Sequence, residues 1–139
     1  MPDDDCLICH KHRGEGPLVG PVVHVDDLVS VSHRATGALG YLFVESRRHV
    51  PYLDGLTDAE AAAFGRTTTR LARALRAELD VAFVHTLVTG HSVAHVHQHV
   101  VVQHAGTPED LPWWQEWSGA PQGDVVALAA RLGRHLATG

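Results

Sequence analysis

The stretch that most constrains what this chain can fold into is GHSVAHVHQHVVVQH, residues 90–104, where histidine recurs at every second position: His95, His97 and His99. A period of two is that of a β-strand, which turns alternate side chains to one face. Val96 and Val100, among the intervening residues, are β-branched and suit a strand. The reading is therefore a strand with three imidazoles side by side. A buried row of neighbouring bases is costly unless something binds to it, so this face is a candidate site. A lone histidine more often fills space and donates one bond. Strict alternation after a Gly-x-Ser turn points instead to metal chelation, or to one imidazole attacking phosphorus while its neighbours handle charge.

The rest of the chain suits a domain that could carry such a strand. Its 139 residues are read as one domain, 1–139, large enough for a real core. With 45% apolar and 19% charged residues, disorder is excluded. The formal charge of −5, with no basic stretch, argues against nucleic acid as a partner. No segment is long and apolar enough for a membrane span. The start, MPDDDCLICH, is acidic where a secretory signal would be basic and then apolar. The expectation is a cytoplasmic protein, whose Cys6 and Cys9 serve as thiols or metal ligands rather than a structural disulfide.

Along the chain, VVHVDD, LVSVSH and YLFVE read as strands. A long helix follows in LTDAEAAAFGRTTTRLARALRAEL, with Thr57 and Glu60 at capping-box spacing and Phe64, Leu71, Leu75 and Leu79 on one face. VAFVHTLV and the histidine run add two more strands. Residues 105–123, with three tryptophans, read as an ordered loop, and GDVVALAARLGRHL as a second helix. Strands, a long helix, more strands and a tail helix make an α+β fold with a mainly antiparallel sheet.

The C-x-x-C of Cys6 and Cys9 lacks the preceding strand that a thioredoxin-like motif needs, so half of a zinc site is the better reading. Two further ligands are then required, and His10 and His12 are nearby candidates.

Residues 90–102, GHSVAHVHQHVVV, resemble the signature of the histidine triad (HIT) family of nucleotide hydrolases and transferases. GYLFVESRRHV resembles that family's strand ending in a basic pair and histidine, and the segment holding Trp113, Trp114 and Trp117 resembles the tail of some bacterial members. The resemblance implies a five-stranded HIT-like sheet and a homodimer. It implies a phosphoanhydride or phosphoramidate substrate of nucleotide type, with His97 as nucleophile and His99 and Ser92 assisting. Gly90, Ser92 and Val93 would cradle phosphate. It also implies a structural zinc held by Cys6, Cys9, His49 and His95, closed to water by its four ligands. The alternatives are a zinc-stabilised nucleotide- or metabolite-binding protein with little turnover, and a metalloenzyme using His95, His97 and His99 together.

Four positions depart from the family pattern. His33 stands where an acidic residue usually binds ribose hydroxyls, and an imidazole offers only one acceptor. Tyr41 replaces a histidine beside the triad, Gln98 an apolar residue and His91 a glutamine. Arg47 and Arg48 read as a phosphate-steering pair or a solvated strand end. The tryptophans read as a nucleobase cover or as packing against the domain or a partner subunit.

Overall fold

The computed structural model describes residues 5–138; the first four residues of the acidic start lie outside the described residues. Five strands form one antiparallel sheet: β1 (Val22–Val25), β2 (Val29–His33), β3 (Tyr41–Ser46), β4 (Val81–Leu87) and β5 (His97–His104), in the order β1-β2-β3-β5-β4. Three α-helices accompany them: α1 (Leu7–His12), α2 (Asp58–Glu78) and α3 (Val125–Thr138).

α2 starts where its sequence says it should. Thr57 accepts from the Glu60 amide at 3.1 Å and Glu60 accepts from the Thr57 amide at 2.9 Å, the reciprocal capping box. Its buried stripe of Phe64, Leu71 and Leu75 meets Leu128, Leu132 and Leu136 of α3 and the inward residues of the sheet: Val31, Leu42, Val44, Val100 and Val102. Both helices thus cover one face. α3 lies so close to β1 that a Cβ on Gly133 would come within 2.6 Å of the Val23 carbonyl oxygen.

The period of two then dictates what the opposite face carries. Pairing of Phe43 with His99 and Glu45 with His97 puts Tyr41, Phe43, Glu45, His97 and His99 together there. α1 reaches this face through the Lys11 ammonium, which lies 4.6 Å from the Phe43 ring centroid. A helix of six residues is too short to stand alone, so tertiary contacts must hold it.

The helix at the cysteine motif was not apparent from the sequence. Cys6 caps it, its sulfur accepting from the Cys9 amide at 3.3 Å, and no strand precedes it among the described residues. The histidine strand is also shorter than its rhythm implies. β3 ends at Ser46, so the ladder stops at the Glu45–His97 pair, and the Val96 amide turns to the Val50 carbonyl at 2.8 Å. His95 lies in the bend ahead of β5 rather than on it.

Candidate functional site

That bend separates the three histidines into two centres. Only His97 and His99 share the open face, their ring centroids 5.3 Å apart. His95 turns to the cysteines: its Nδ1 lies 3.3 Å from Cys6 Sγ and 3.5 Å from Cys9 Sγ. His49 Nδ1, beyond the basic pair that follows β3, comes within 3.4 Å of Cys9 Sγ. One ligand atom from each of Cys6, Cys9, His49 and His95 lies within 4.8 Å of the others, and these four could hold a metal ion.

The chemistry of this set fits zinc. Zn–S bonds of about 2.3 Å and Zn–N bonds of about 2.0–2.1 Å at the tetrahedral angle require S···N edges of roughly 3.5 Å. The three sulfur–nitrogen distances match that edge. His95 also donates Nε2–H to the Ser46 carbonyl at 2.7 Å, which leaves Nδ1 as the lone pair facing the sulfurs. Burial, above all, holds the pKa of His95 below its ordinary value and keeps the ring neutral, as a ligand must be. His12, a nearer rival in sequence, instead bonds Glu45 Oε1 at 3.0 Å.

The pair on the open face is set by its Nδ1 partners. His97 is buried and donates Nδ1–H to the carbonyl of His95 at 2.8 Å, so Nε2 holds the free lone pair. His99 Nδ1 lies 2.8 Å from the hydroxyl of Tyr41. Burial raises the Tyr41 pKa, with Arg34 opposing, so the phenol keeps its proton. With that hydroxyl as donor, His99 carries its own proton on Nε2. Burial first, and the repulsion that a second cation at His97 would add, push the His99 pKa down, with Glu45 opposing. A neutral nucleophile beside a neutral N–H donor is an arrangement suited to attack on an electrophile that gains negative charge.

Several residues here escaped sequence reading. Glu45, opposite His97, is 2% exposed and takes Lys11 Nζ at 2.8 Å as well as His12. Burial alone would raise its pKa, but the His12 hydrogen bond and the Lys11 charge outweigh it, and the net shift is downward. The signal was available in part: Glu45 continues the alternation of Tyr41 and Phe43, and a charge in that series needs a partner.

The remaining candidates occupy different surroundings. Ser92 is exposed in the bend of residues 91–95, after Gly90 at φ 64°, and Val93 packs against the Cys6–Ile8–Cys9 cluster. His33 is 1% exposed and held by the backbone at both nitrogens: Nδ1–H donates to the Arg34 carbonyl at 2.7 Å and Nε2 accepts from the Gly40 amide at 2.9 Å. Neither nitrogen is left for a ribose hydroxyl in this conformation. Gln98 lies on the helix side, where Thr68 donates to its Oε1 at 3.2 Å. Arg48 grips Glu60 at 2.8 Å, and Arg47 donates to the Asp26 carbonyl at 2.9 Å. Trp113 packs on His85, their ring centroids 5.4 Å apart.

The model of the HIT domain matches residues 21–106, well over half of the chain. This chain belongs to the HIT family. Its fold is similar to that of a Zn-bound histidine triad family protein from Mycobacterium smegmatis, with TM-score 0.74, 19% identity and coverage of 99% of this chain and 96% of that one. A Hit-like protein involved in cell-cycle regulation from Bartonella henselae gives TM-score 0.73 at 13% identity, over 97% and 99% of the two chains. A hypothetical histidine triad nucleotide-binding protein from Sulfolobus tokodaii gives 0.69 at 12%, over 91% and 88%. Among curated proteins no significant match is found. HIT membership supports a nucleotide-binding or hydrolase/transferase function in general terms. No helix among the described residues is long and apolar enough to cross a membrane.

Proposed function

We propose that this HIT protein is a nucleotidyl hydrolase or transferase acting on a phosphoanhydride or phosphoramidate bond of a nucleotide-like substrate. The observation that carries this reading is the tie of His97 Nδ1 to the His95 carbonyl, which reserves Nε2 for attack. His97 Nε2 forms a bond to the α-phosphorus as the bond to the leaving group breaks, giving a nucleotidyl-histidine. Ser92 passes a proton to the leaving group, and His99 donates Nε2–H to the phosphate oxygens as charge builds. Amides of residues 90–93, Gly90 and Val93 among them, cradle the phosphate. Water or another hydroxyl acceptor then attacks phosphorus, its proton replaces the one Ser92 gave up, the P–N bond breaks and His97 is regenerated with its Nε2 lone pair free.

Cys6, Cys9, His49 and His95 would hold a structural zinc, whose chemistry there would be to fix α1 and the turn before β5 rather than to activate water. His95 is hydrogen-bonded to the Ser46 carbonyl through its ring and to His97 through its own carbonyl, so the backbone that holds this ligand also positions the nucleophile. The protein is cytoplasmic and homodimeric in this reading.

The test is covalent trapping. Wild-type protein quenched during turnover of a dinucleoside polyphosphate or a nucleoside phosphoramidate yields an adduct on the peptide spanning residues 90–104. His97→Ala abolishes both adduct and turnover while folding and binding zinc. An adduct elsewhere, or near-normal turnover in His97→Ala, refutes the mechanism. A second reading is favoured by the occupied nitrogens of His33: a zinc-stabilised binding protein with little turnover. Tight ligand binding without turnover of either substrate class supports it.

A further inference from the structure

α2 carries Arg66, Arg70 and Arg73, four and then three residues apart and so on one face of the helix. Like charges at this spacing repel, which destabilises the helix unless an anion settles among them. Elsewhere this chain of net charge −5 pairs its arginines internally: Arg34 with Glu116, Arg48 with Glu60 and Arg131 with Glu78. Arg66, Arg70 and Arg73 form no ion pair among the described residues.

Together with Thr69 and His135 the three arginines line an open groove of about 540 Å³ between α2 and α3. A volume of that order accepts a small ligand. Among the described residues no carboxylate lines it. Glu78, which His135 bonds at 2.8 Å, is already held by Arg131 at 2.7 Å. Arg70 is the anchored member, one terminal nitrogen donating to the Leu136 carbonyl at 3.1 Å. Its Nε–H is buried and meets no acceptor among the described residues. A buried charged donor left without a partner costs free energy that an incoming oxyanion would recover.

The shape of the groove narrows the class of anion. Arg66 and Arg73 are exposed and about 10 Å apart along the helix axis, so their side chains converge on Arg70 from both sides. Guanidinium forks match phosphate oxygens two at a time. A protein segment fits less well, because Gly65 and Ala74 are the only apolar residues of the lining and form no pocket for an anchoring side chain. We propose that this groove binds a compact oligophosphate of two or three linked phosphates, clamped by Arg66, Arg70 and Arg73. Both helices cover the face of the sheet opposite His97 and His99, so the site is separate from the phosphorus chemistry proposed above and does not rest on it.

The experiment is an NMR titration of the full-length, zinc-loaded protein with sodium triphosphate at constant ionic strength. Saturable shifts are expected at the amides of residues 65–74 and at the arginine Nε–H signals, with Kd of about 0.1 mM. Arg66→Gln/Arg73→Gln, which alters only exposed side chains, should weaken binding about a hundredfold. Should that variant fail to fold, Arg66→Gln alone should weaken it about tenfold. ATP separates the two sources of such a group. ATP no tighter than triphosphate at these signals assigns the site to linked phosphates alone, and ATP about tenfold tighter assigns it to a nucleotide's tail; either supports the site. No saturable shift on α2 at millimolar triphosphate, or shifts confined to Ser92, His97 and His99, overturns the proposal. So does equal affinity for sulfate or for a hexa-aspartate peptide, which would reduce the groove to unselective charge.

Discussion

Glu45 offers the sharpest test of how this site is held together. Its carboxylate and the Lys11 ammonium are 2% and 7% exposed and 2.8 Å apart, so each is the other's replacement for water. Removing one partner of a buried pair costs about 3–5 kcal/mol, because the other charge is stranded. Two escapes lower that figure here. In Lys11→Met the orphaned carboxyl keeps His12 and can take up a proton, which at pH 7 costs at most about 3.7 kcal/mol for an ordinary glutamate. In Glu45→Leu the ammonium keeps the Phe43 ring and can swing outward from the short helix α1. Each single substitution should therefore cost about 2–3 kcal/mol, whereas the double Lys11→Met/Glu45→Leu, which replaces the pair by apolar groups, should cost within about 1 kcal/mol of nothing. Urea denaturation of the four zinc-loaded proteins at pH 7 measures this cycle. Additivity to within about 0.5 kcal/mol would show that the two charges do not act as a pair. The pH dependence has a defined sign. The folded pKa of Glu45 is depressed, so its contribution is fully present above the unfolded value of about 4.3 and fades as pH falls through the lower folded value. The advantage of wild type over Glu45→Leu should shrink below about pH 4.5.

Elemental analysis of untagged protein should find about one zinc per chain, and chelation should lower the melting temperature because metal binding is coupled to folding. The zinc should be lost in His49→Ala and His95→Ala; zinc that survives both but disappears with His10→Ala or His12→Ala would refute the ligand set. Glu60, whose hydrogen bond from Arg48 lowers its pKa to about 2, stabilises the start of α2 only while ionised. Glu60→Gln should lower the melting temperature at pH 7, and the difference should vanish as pH drops from about 4.5 to about 2, the window between the unfolded and folded values. Gly133→Ala should destabilise by about 1–3 kcal/mol through its clash with Val23. Gly65→Ala, where a Cβ meets nothing within 4 Å, should stabilise by about 0.4–1 kcal/mol, and both are read by thermal melting.

What the sequence determined by itself are the features whose physics is local. Thr57 and Glu60 close a capping box three residues apart, Phe64, Leu71 and Leu75 recur at the helical period, and strands alternate. Such signals need no knowledge of what packs against them, and they were enough for the α+β fold. Of the four metal-binding candidates, Cys6 and Cys9 were legible from their own spacing, and His49 and His95 only through resemblance, because spacing alone left His10 and His12 as open as they were. What the tertiary structure decided are the partners. The end of β3 at Ser46 breaks the histidine rhythm and sends His95 to the cysteines, leaving a pair on the face where three were expected. The Tyr41 hydroxyl reaches His99 across 58 positions, and Lys11 finds Glu45 across 34. His33 spends both nitrogens on backbone groups, and His104 keeps one unspent. A side chain's proton and its charge depend on what folding brings within about 3 Å of it. No period or spacing in the chain encodes that distance.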